Sequence, residues 1–248
     1  MNKKTLLITL PCYNEEIVIE KTAFQVIDYA REHLKDYAWK ILILDNNSKD
    51  NTWKIAQSIR DANKGLVILD QVKNPGRGAA LRESWGRHPD FDIYAYMDAD
   101  LATDIKDFAF LVSKVVSGSD FVAGSRYIQY SDVKRSLIRK FLSSVYNVLL
   151  RIVLRVNFRD AQCGFKAMSA KLVHNLVPKT KDSGWFWDTE LMIIADRLGY
   201  KVEEVPVTWR EVRDELRQST VSVRSEVWRN LKNIWTMRKK LQDNDYGA

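Results

Sequence analysis

Short apolar runs alternate with helix-like stretches along the first half of the chain. The runs that predict β-strands cover residues 5–10, 39–44, 66–69, 93–97 and 121–123. Between them, apolar residues recur with helical spacing near residues 15–35, 51–63, 78–87 and 104–117. Short buried strands that alternate with helices indicate an α/β fold with a mostly parallel sheet.

Polar and glycine-rich segments follow the predicted strands. They cover residues 11–15 (PCYNE), 45–48 (DNNS), 74–78 (NPGRG), 98–100 (DAD) and 124–126 (GSR). In an open α/β sheet, ligands bind outside the carboxyl ends of the strands. We therefore expect the functional site at the edge where these segments meet.

Two later segments predict amphipathic helices. In residues 136–156 one polar stripe opposes a broad apolar face; its members are Ser136, Lys140, Ser144, Asn147, Arg151 and Arg155. In residues 223–241, Trp228 and Trp235 lie on an apolar face opposite basic residues. Such helices are typical of the membrane interface. The first helix could equally bury its apolar face against the domain, but the presence of two favours the membrane.

Composition restricts the class of protein. The chain has 248 residues, of which 46% are hydrophobic and 29% charged, so a core can form. The longest uncharged stretches have ten residues, whereas a membrane span needs roughly 18 or more, so we expect no transmembrane helix. No signal-peptide pattern is present, and the two cysteines exclude a disulfide scaffold. These features predict a reducing, cytoplasmic environment.

The positive charge is concentrated in one region. The net charge is +7, and residues 131–166 hold eight Lys or Arg against two Asp. Such a segment indicates an anionic partner, either a membrane surface, a phosphorylated substrate or a nucleic acid, although a solvated basic helix is the alternative. No nucleic-acid-binding motif is present, and neither a dinucleotide-binding G-x-G-x-x-G nor a phosphate-binding P-loop motif occurs.

Two carboxylates end the fourth predicted strand. Asp98 and Asp100 are one residue apart, directly after the apolar run 93–97. At a strand end both can turn toward one divalent cation, and Mg²⁺ or Mn²⁺ prefers such oxygen ligands and brings substrate phosphates with it. The pair therefore predicts a metal site.

Seven segments together resemble family 2 glycosyltransferases of the GT-A fold, in the branch that transfers sugars to dolichyl or polyprenyl phosphate. They are LPCYNEE (10–16), LDNNSKDNT (44–52), NPGRGAALRESW (74–85), MDADLATD (97–104), AGSRY (123–127), RDAQCGFKAMS (159–169) and WFWDTELMIIADRLGYKVEEVPVTW (185–209). RDAQCGFK and WFWDTEL, within the last two, resemble dolichyl-phosphate glucosyltransferases more than they resemble the mannosyl relatives. The resemblance implies a catalytic domain at 1–210, with a nucleotide-sugar half at about 1–126 and an acceptor half at about 127–210. Residues 211–248 would form a basic amphipathic helical segment.

The resemblance also implies the donor site. Pro11, Tyr13, Glu15 and Asp45 would hold the base and ribose of a nucleotide-sugar. Asp98 would contact the ribose or the metal, and Asp100 would bind the metal that bridges the diphosphate. Arg77, which lies between two glycines, could approach the nucleotide; an exposed loop arginine is the alternative. The segment 45–48 lacks the second acid and the glycine common in relatives, which leaves the choice of nucleotide open.

The acceptor site is implied in the same way. Arg126, Arg135, Arg139 and Lys166 would hold a lipid phosphate, because guanidinium groups bind phosphate in a bidentate manner. Asp160, Gln162, Asp188 and Glu190 would face the sugar and the acceptor. A phosphate acceptor is already an anion at neutral pH, since its second pKa is near 6. A hydroxyl acceptor would need a carboxylate base, for which Asp188 is the first candidate and Asp160 the second.

These features predict an inverting, metal-dependent glycosyltransferase. It would transfer a hexose, glucose from UDP-glucose, to a polyprenyl or dolichyl phosphate at the cytoplasmic face of a membrane, which it would contact peripherally. Within the same class, the alternatives are mannose or N-acetylhexosamine transfer to that lipid, or transfer to a soluble glycan. In a different class, the alternative is a non-catalytic protein that binds lipid or nucleic acid.

Overall fold

A computed structural model describes residues 3–134, 137–211, 223–243 and 246. Within them, the strands are β1 (Lys4–Cys12), β2 (Tyr37–Asp45), β3 (Val67–Gln71), β4 (Ile93–Met97), β5 (Phe121–Ser125), β6 (Asp132–Lys134), β7 (Phe165–Ser169), β8 (Val202–Pro206) and β9 (Thr208–Arg210). The helices are α1 (Ile19–His33), α2 (Thr52–Ala62), α3 (Arg77–Arg87), α4 (Phe108–Val116), α5 (Leu137–Leu154), α6 (Ala170–Leu176), α7 (Trp187–Arg197) and α8 (Val223–Gln242). Short 3₁₀ turns cover Ile105–Asp107 and Val177–Lys179.

Seven of the described strands form the central sheet, in the order β3-β2-β1-β4-β7-β5-β8. Neighbouring strands are parallel, except that β7 runs antiparallel to both β4 and β5. Cys12 pairs with Asp45, and Asp45 pairs with Gln71, so the carboxyl ends of β1, β2 and β3 lie side by side. A smaller sheet pairs β6 with β9. The predicted mostly parallel sheet is confirmed.

Helices cover both faces of the sheet. Alternate residues of β1 enter different cores, because successive side chains of a strand point to opposite faces. Leu7 packs with residues of α3, α5, α6, α7 and α8. Leu6 and Ile8 pack with residues of α1, α2 and α4. The sheet is thus buried between two layers, which leaves its carboxyl edge for the site.

Helix α5 buries one part of its apolar surface against the domain and exposes another part to solvent. Tyr146, Leu150 and Leu154 are buried in the core, while Val148 and Ile152 are exposed. Asn147, predicted on the polar stripe, is buried. The helix therefore packs one side on the domain and shows an apolar strip to solvent.

Helix α8 follows the same pattern where its side chains are described. Ile234 and Met237 are buried and Trp235 is exposed, whereas the side chain of Trp228 lies outside the described residues. Within the described ranges, no helix has the length and apolar content to cross a bilayer.

Candidate functional site

Loops at the ends of β1, β2 and β3 are tied together by side-chain amides and carboxylates. The buried carboxylate of Asp45 accepts hydrogen bonds from the Ser48 backbone N–H (3.2 Å) and from Gln71 Nε2 (2.9 Å). Asn46 donates to the carbonyl of Asn74 (2.7 Å) and accepts from the N–H of Gly76 (2.8 Å). The Asn46 amide thus connects the loop after β2 with the loop after β3.

The predicted nucleotide-binding residues of the first loop lie at this edge. Pro11 is in β1, opposite Leu44. Tyr13 is exposed, and Glu15 begins the turn into α1, with its N–H donated to Thr52 Oγ1 (2.8 Å). The role of these residues in nucleotide binding stays a prediction.

Asp98 and Asp100 follow β4, as the sequence predicts. The Asp98 backbone N–H donates to the carbonyl of Gly164 (3.0 Å), so its side chain lies directly over that glycine. Its carboxylate is 41% exposed and open to a ligand. The surrounding protein partly desolvates this carboxylate and raises its pKa; Arg77 opposes the rise, and Asp100 and Asp188 add to it. Asp100 Oδ1 accepts from the N–H of Ala102 (3.1 Å).

Arg77 joins two carboxylates from opposite sides of the site. It is the first residue of α3, after Gly76, whose φ of 109° suits glycine. Its guanidinium donates to Asp98 Oδ1 (2.8 Å) and to Asp188 Oδ2, and its side chain is only 9% exposed. Burial lowers the pKa of Arg77, but the two carboxylates raise it above its usual value. The alternative of an exposed loop arginine is therefore wrong.

Aromatic rings enclose the same guanidinium. The Arg77 Cζ lies 4.4 Å from the ring centre of Trp185 and 5.6 Å from that of Tyr96. Both distances are within the range of cation–π attraction. Gly78 allows α3 to approach Trp187, because a Cβ there would overlap the indole.

Asp188 is buried, and both of its carboxylate oxygens accept hydrogen bonds. It accepts hydrogen bonds from Tyr96 Oη and from Arg77, and Lys166 Nζ lies 3.9 Å from its Oδ1. Burial and the charge of Asp188 together raise the pKa of Tyr96 well above its usual value, so the phenol stays a hydrogen-bond donor. The assignment of Asp188 as the first candidate base stays a prediction.

Asp160, the second candidate base, is held by Arg126. The guanidinium of Arg126 donates to both carboxylate oxygens (2.7 and 2.9 Å), and its backbone N–H adds a third bond (3.0 Å). Burial acts to raise the pKa of Asp160, but Arg126 outweighs it and lowers the pKa below the usual value. The N–H of Gln162 also donates to Asp160 (3.3 Å).

The remaining acceptor residues have different surroundings. Lys166 is buried, and its ammonium donates to the carbonyls of Ala161 (3.0 Å) and Cys163. Glu190 is also buried and binds backbone N–H groups of the segment 181–182. Arg135 lies outside the described residues, and so does the side chain of Arg139. Phosphate or sugar binding by these four residues stays a prediction.

Three site residues were missed by the sequence reasoning: Tyr96, Gly164 and Trp185. Tyr96 lies two positions before Asp98 on the same strand face, which was an available signal. Trp185 opens the WFWDTEL segment, and Gly164 lies inside RDAQCGFK. The contact of Trp185 with Arg77 and that of Gly164 with Asp98 depend on the fold, so no spacing in the sequence indicates these two residues.

Comparisons with known proteins agree with this architecture. The family model described as "Glycosyl transferase family 2" matches residues 7–177. Glycosyltransferase AglD of Haloferax volcanii is 34% identical over 208 residues, which are 84% of this chain and 33% of AglD. Dolichyl-phosphate beta-glucosyltransferase ALG5A of Trichomonas vaginalis is 32% identical over 215 residues, which are 84% of this chain and 66% of that protein. The chain thus spans a third of the first relative and just under two thirds of the second.

The fold is also similar to that of solved structures. Glucosyl-3-phosphoglycerate synthase from Mycobacterium tuberculosis, crystallised with Mn²⁺, uridine diphosphate and phosphoglyceric acid, gives a TM-score of 0.64 at 22% identity. The match covers 94% of this chain and 77% of that one. At this identity the likeness concerns the fold, and it confirms the predicted GT-A class. With a family model that matches residues 7–177, the chain belongs to glycosyl transferase family 2.

Proposed function

We propose that this chain is a nucleotide-sugar-dependent glycosyltransferase that transfers glucose from UDP-glucose to a polyprenyl or dolichyl phosphate. The observation that carries the proposal is the pair Asp98 and Asp100 at the end of β4, beside Arg77 and Asp188. The name of the ALG5A relative supports the sugar and the lipid class.

The two carboxylates fit Mg²⁺ or Mn²⁺ bound together with a diphosphate. No group of three or more His, Cys, Asp or Glu in the described part of the chain has the arrangement of a metal site. Asp98 and Asp100 would therefore share the cation with oxygens of the substrate, as hard cations do in phosphate enzymes. When bound, the cation would supply positive charge to the leaving diphosphate.

The donor would lie across the ends of β1, β2 and β4. Pro11, Tyr13, Glu15 and Asp45 would hold the nucleoside, and the diphosphate would extend toward Asp98. Arg77 is anchored there, held between two rings and two carboxylates. Its guanidinium is already ordered before the donor binds, so donor binding does not have to order this side chain.

The hydrogen bonds that the two candidate bases, Asp188 and Asp160, already accept favour a phosphate acceptor over a hydroxyl acceptor. Asp188 is occupied by Tyr96 and Arg77, and Asp160 by Arg126. Arg126 lowers the pKa of Asp160, which makes that carboxylate a weaker base. A phosphate oxygen needs little proton removal before it attacks the sugar C1. The new bond joins that oxygen to C1, and the bond from C1 to the nucleotide diphosphate breaks. Inversion at C1 follows from attack on the face opposite the leaving group.

The exposed side of α5 supports contact with an anionic membrane. Val145, Val148 and Ile152 form an exposed apolar strip beside Arg151 and Arg155. These two arginines also line a surface pocket together with Arg159. Among the described residues, no carboxylate forms an ion pair with the three guanidinium groups. We infer peripheral binding to the cytoplasmic face, since arginines next to apolar residues suit the boundary between headgroups and acyl chains.

A donor panel tests the proposed reaction. The purified chain is incubated with Mn²⁺ or Mg²⁺, polyprenyl phosphate in detergent, and labelled UDP-glucose, GDP-mannose or UDP-N-acetylglucosamine. We expect metal-dependent label in the organic phase from UDP-glucose alone. Label from another donor would refute the sugar assignment. Transfer only to soluble acceptors would refute the lipid assignment, and no transfer at all would favour a binding protein.

Flotation with liposomes tests the membrane contact. Charge reversal of Arg151 and Arg155 to Glu should weaken binding to anionic vesicles, by about 1 kcal/mol for each charge near the surface. Lys54→Glu with Lys64→Glu, at exposed positions in and after α2, is the control with the same change of net charge. Equal flotation of the double variant and the control would refute the role of α5.

A further inference from the structure

Glu190 is a buried carboxylate that fixes a loop beside the site. Its side chain is 1% exposed, although it lies in the first turn of α7. One oxygen, Oε2, accepts hydrogen bonds from the backbone N–H groups of Lys181 (2.9 Å) and Asp182 (2.8 Å). Arg82 Nη1 donates to the carbonyl of Asp182 (3.1 Å), so the side chains of Glu190 and Arg82 together hold the start of the loop 181–185.

The end of the chain reaches the other oxygen of Glu190. The hydroxyl of Tyr246 donates to Oε1 over 2.5 Å, and Tyr246 is 3% exposed. Lys240, near the end of α8, places its ammonium 3.7 Å from the same oxygen. The ring of Tyr246 also faces the ammonium of Lys181 at 5.5 Å. Tyr246, which is 56 positions from Glu190 in the sequence, thus donates a hydrogen bond to the Glu190 carboxylate.

The other side of the loop 181–185 contacts the machinery of the site. The carbonyl of Ser183 accepts from the N–H of Ala79 in the first turn of α3 (3.1 Å). Trp185 stacks over the guanidinium of Arg77 at 4.4 Å. Arg77 in turn binds the carboxylates of Asp98 and Asp188. The loop therefore lies between the C-terminal end of the chain and the arginine that joins the two carboxylates.

We propose that Tyr246 and Glu190 form a latch by which the C-terminal end of the chain positions the loop 181–185, and through Trp185 the guanidinium of Arg77. Both act on the loop 181–185 as positioning residues. When the hydrogen bond between Tyr246 and Glu190 is broken, the loop 181–185 holds Trp185 against Arg77 for only part of the time. The apparent affinity for the donor then falls by that fraction, whereas the rate after binding stays nearly the same.

Hydrogen exchange tests the latch without any requirement for activity. Tyr246→Phe removes one hydroxyl and retains the ring, so the fold should persist. We expect exchange of the amides of Lys181 and Asp182 to become roughly five- to tenfold faster, as the loss of one hydrogen bond of ordinary strength implies. Tyr29→Phe is the matched control, because its hydroxyl bonds the Lys106 carbonyl (3.2 Å) on the opposite face of the sheet. Unchanged exchange in segment 180–185 of Tyr246→Phe and Tyr246→Ala would overturn the proposal.

Donor kinetics test the consequence, which rests on the proposed function. We expect Tyr246→Phe to raise the KM for UDP-glucose several-fold with kcat within about twofold of the unmodified chain. A general loss of folded protein would instead lower the apparent kcat and leave KM unchanged, and that result would overturn the positioning role. If no form of the chain transfers sugar, the proposed function fails, while the exchange result still decides on the latch.

Discussion

The substitution Gly164→Ala should disturb the site at Asp98 and leave the fold largely unchanged. A Cβ built on Gly164 would lie 2.0 Å from Oδ2 of Asp98, far inside ordinary contact. The backbone of Gly164 has an ordinary φ, and the three atoms nearest to the added Cβ all belong to the Asp98 side chain. Because that carboxylate is 41% exposed, it can move toward solvent, and it must move by about 1 Å or more to restore a normal contact.

The displacement should damage catalysis much more than stability. A shifted Asp98 loses its 2.8 Å bond to Arg77 and its alignment with Asp100. A misplacement of about 1 Å costs on the order of 10²-fold in rate, so we expect kcat/KM to fall by about that factor. The thermal midpoint should move by only a few degrees, since a partly exposed ion pair contributes about 1 kcal/mol or less.

Transfer of labelled glucose to polyprenyl phosphate and thermal unfolding are measured on the same preparations. Gly86→Ala is the control, because a Cβ at that position in α3 would meet no neighbouring atom. Its activity should be unchanged. In an Asp98→Ala background, Gly164→Ala should have almost no further effect, since the two residues then no longer conflict. Full activity of Gly164→Ala in the otherwise unmodified chain would refute the assignment of Asp98 to the site.

Three further outcomes are expected. Asp100→Ala should abolish metal-dependent transfer and leave far-UV circular dichroism unchanged; retained turnover would exclude the metal site. Arg126→Ala should lower stability by about 3–5 kcal/mol, because it leaves the buried charge of Asp160 unpaired, and chemical denaturation measures the loss. The lowered pKa of Asp160 means that its ionised form stabilises the fold above the usual aspartate pKa, and that this contribution is lost as the pH falls through the lower folded value. The difference in thermal midpoint between the unmodified chain and Asp160→Asn should therefore be largest near pH 7 and should shrink below about pH 4; a difference that is constant with pH would contradict the ion pair.

Much of the fold could be predicted from the pattern of apolar residues. The strand at 93–97 agrees with β4 to the residue, and the predicted helices at 136–156 and 223–241 are α5 and α8. Long apolar runs and helical periodicity report burial directly, which is why these elements are visible in the sequence. The antiparallel insertion of β7 between β4 and β5 is not visible, because the direction of a strand depends on its partners.

The types of residue at the site were also predictable, but their partners were not. Asp98 and Asp100 could be expected at a strand end from the sequence alone. That Arg77 binds both Asp98 and Asp188 is decided by the meeting of β4, α3 and α7. Lys166 shows the same limit: a lysine in a basic segment suggests a phosphate ligand, yet the fold buries it against backbone carbonyls.

By itself, the sequence of this protein determined its class, the strands and helices of its first half, and the edge of the sheet where its acidic residues gather. These properties follow from local periodicity and from the order of segments along the chain. Only the tertiary structure decided which charges neutralise one another and how Tyr246 comes to bind Glu190 across 56 residues. Such pairs form because burial makes an unpaired charge costly, and burial is a property of the packed chain.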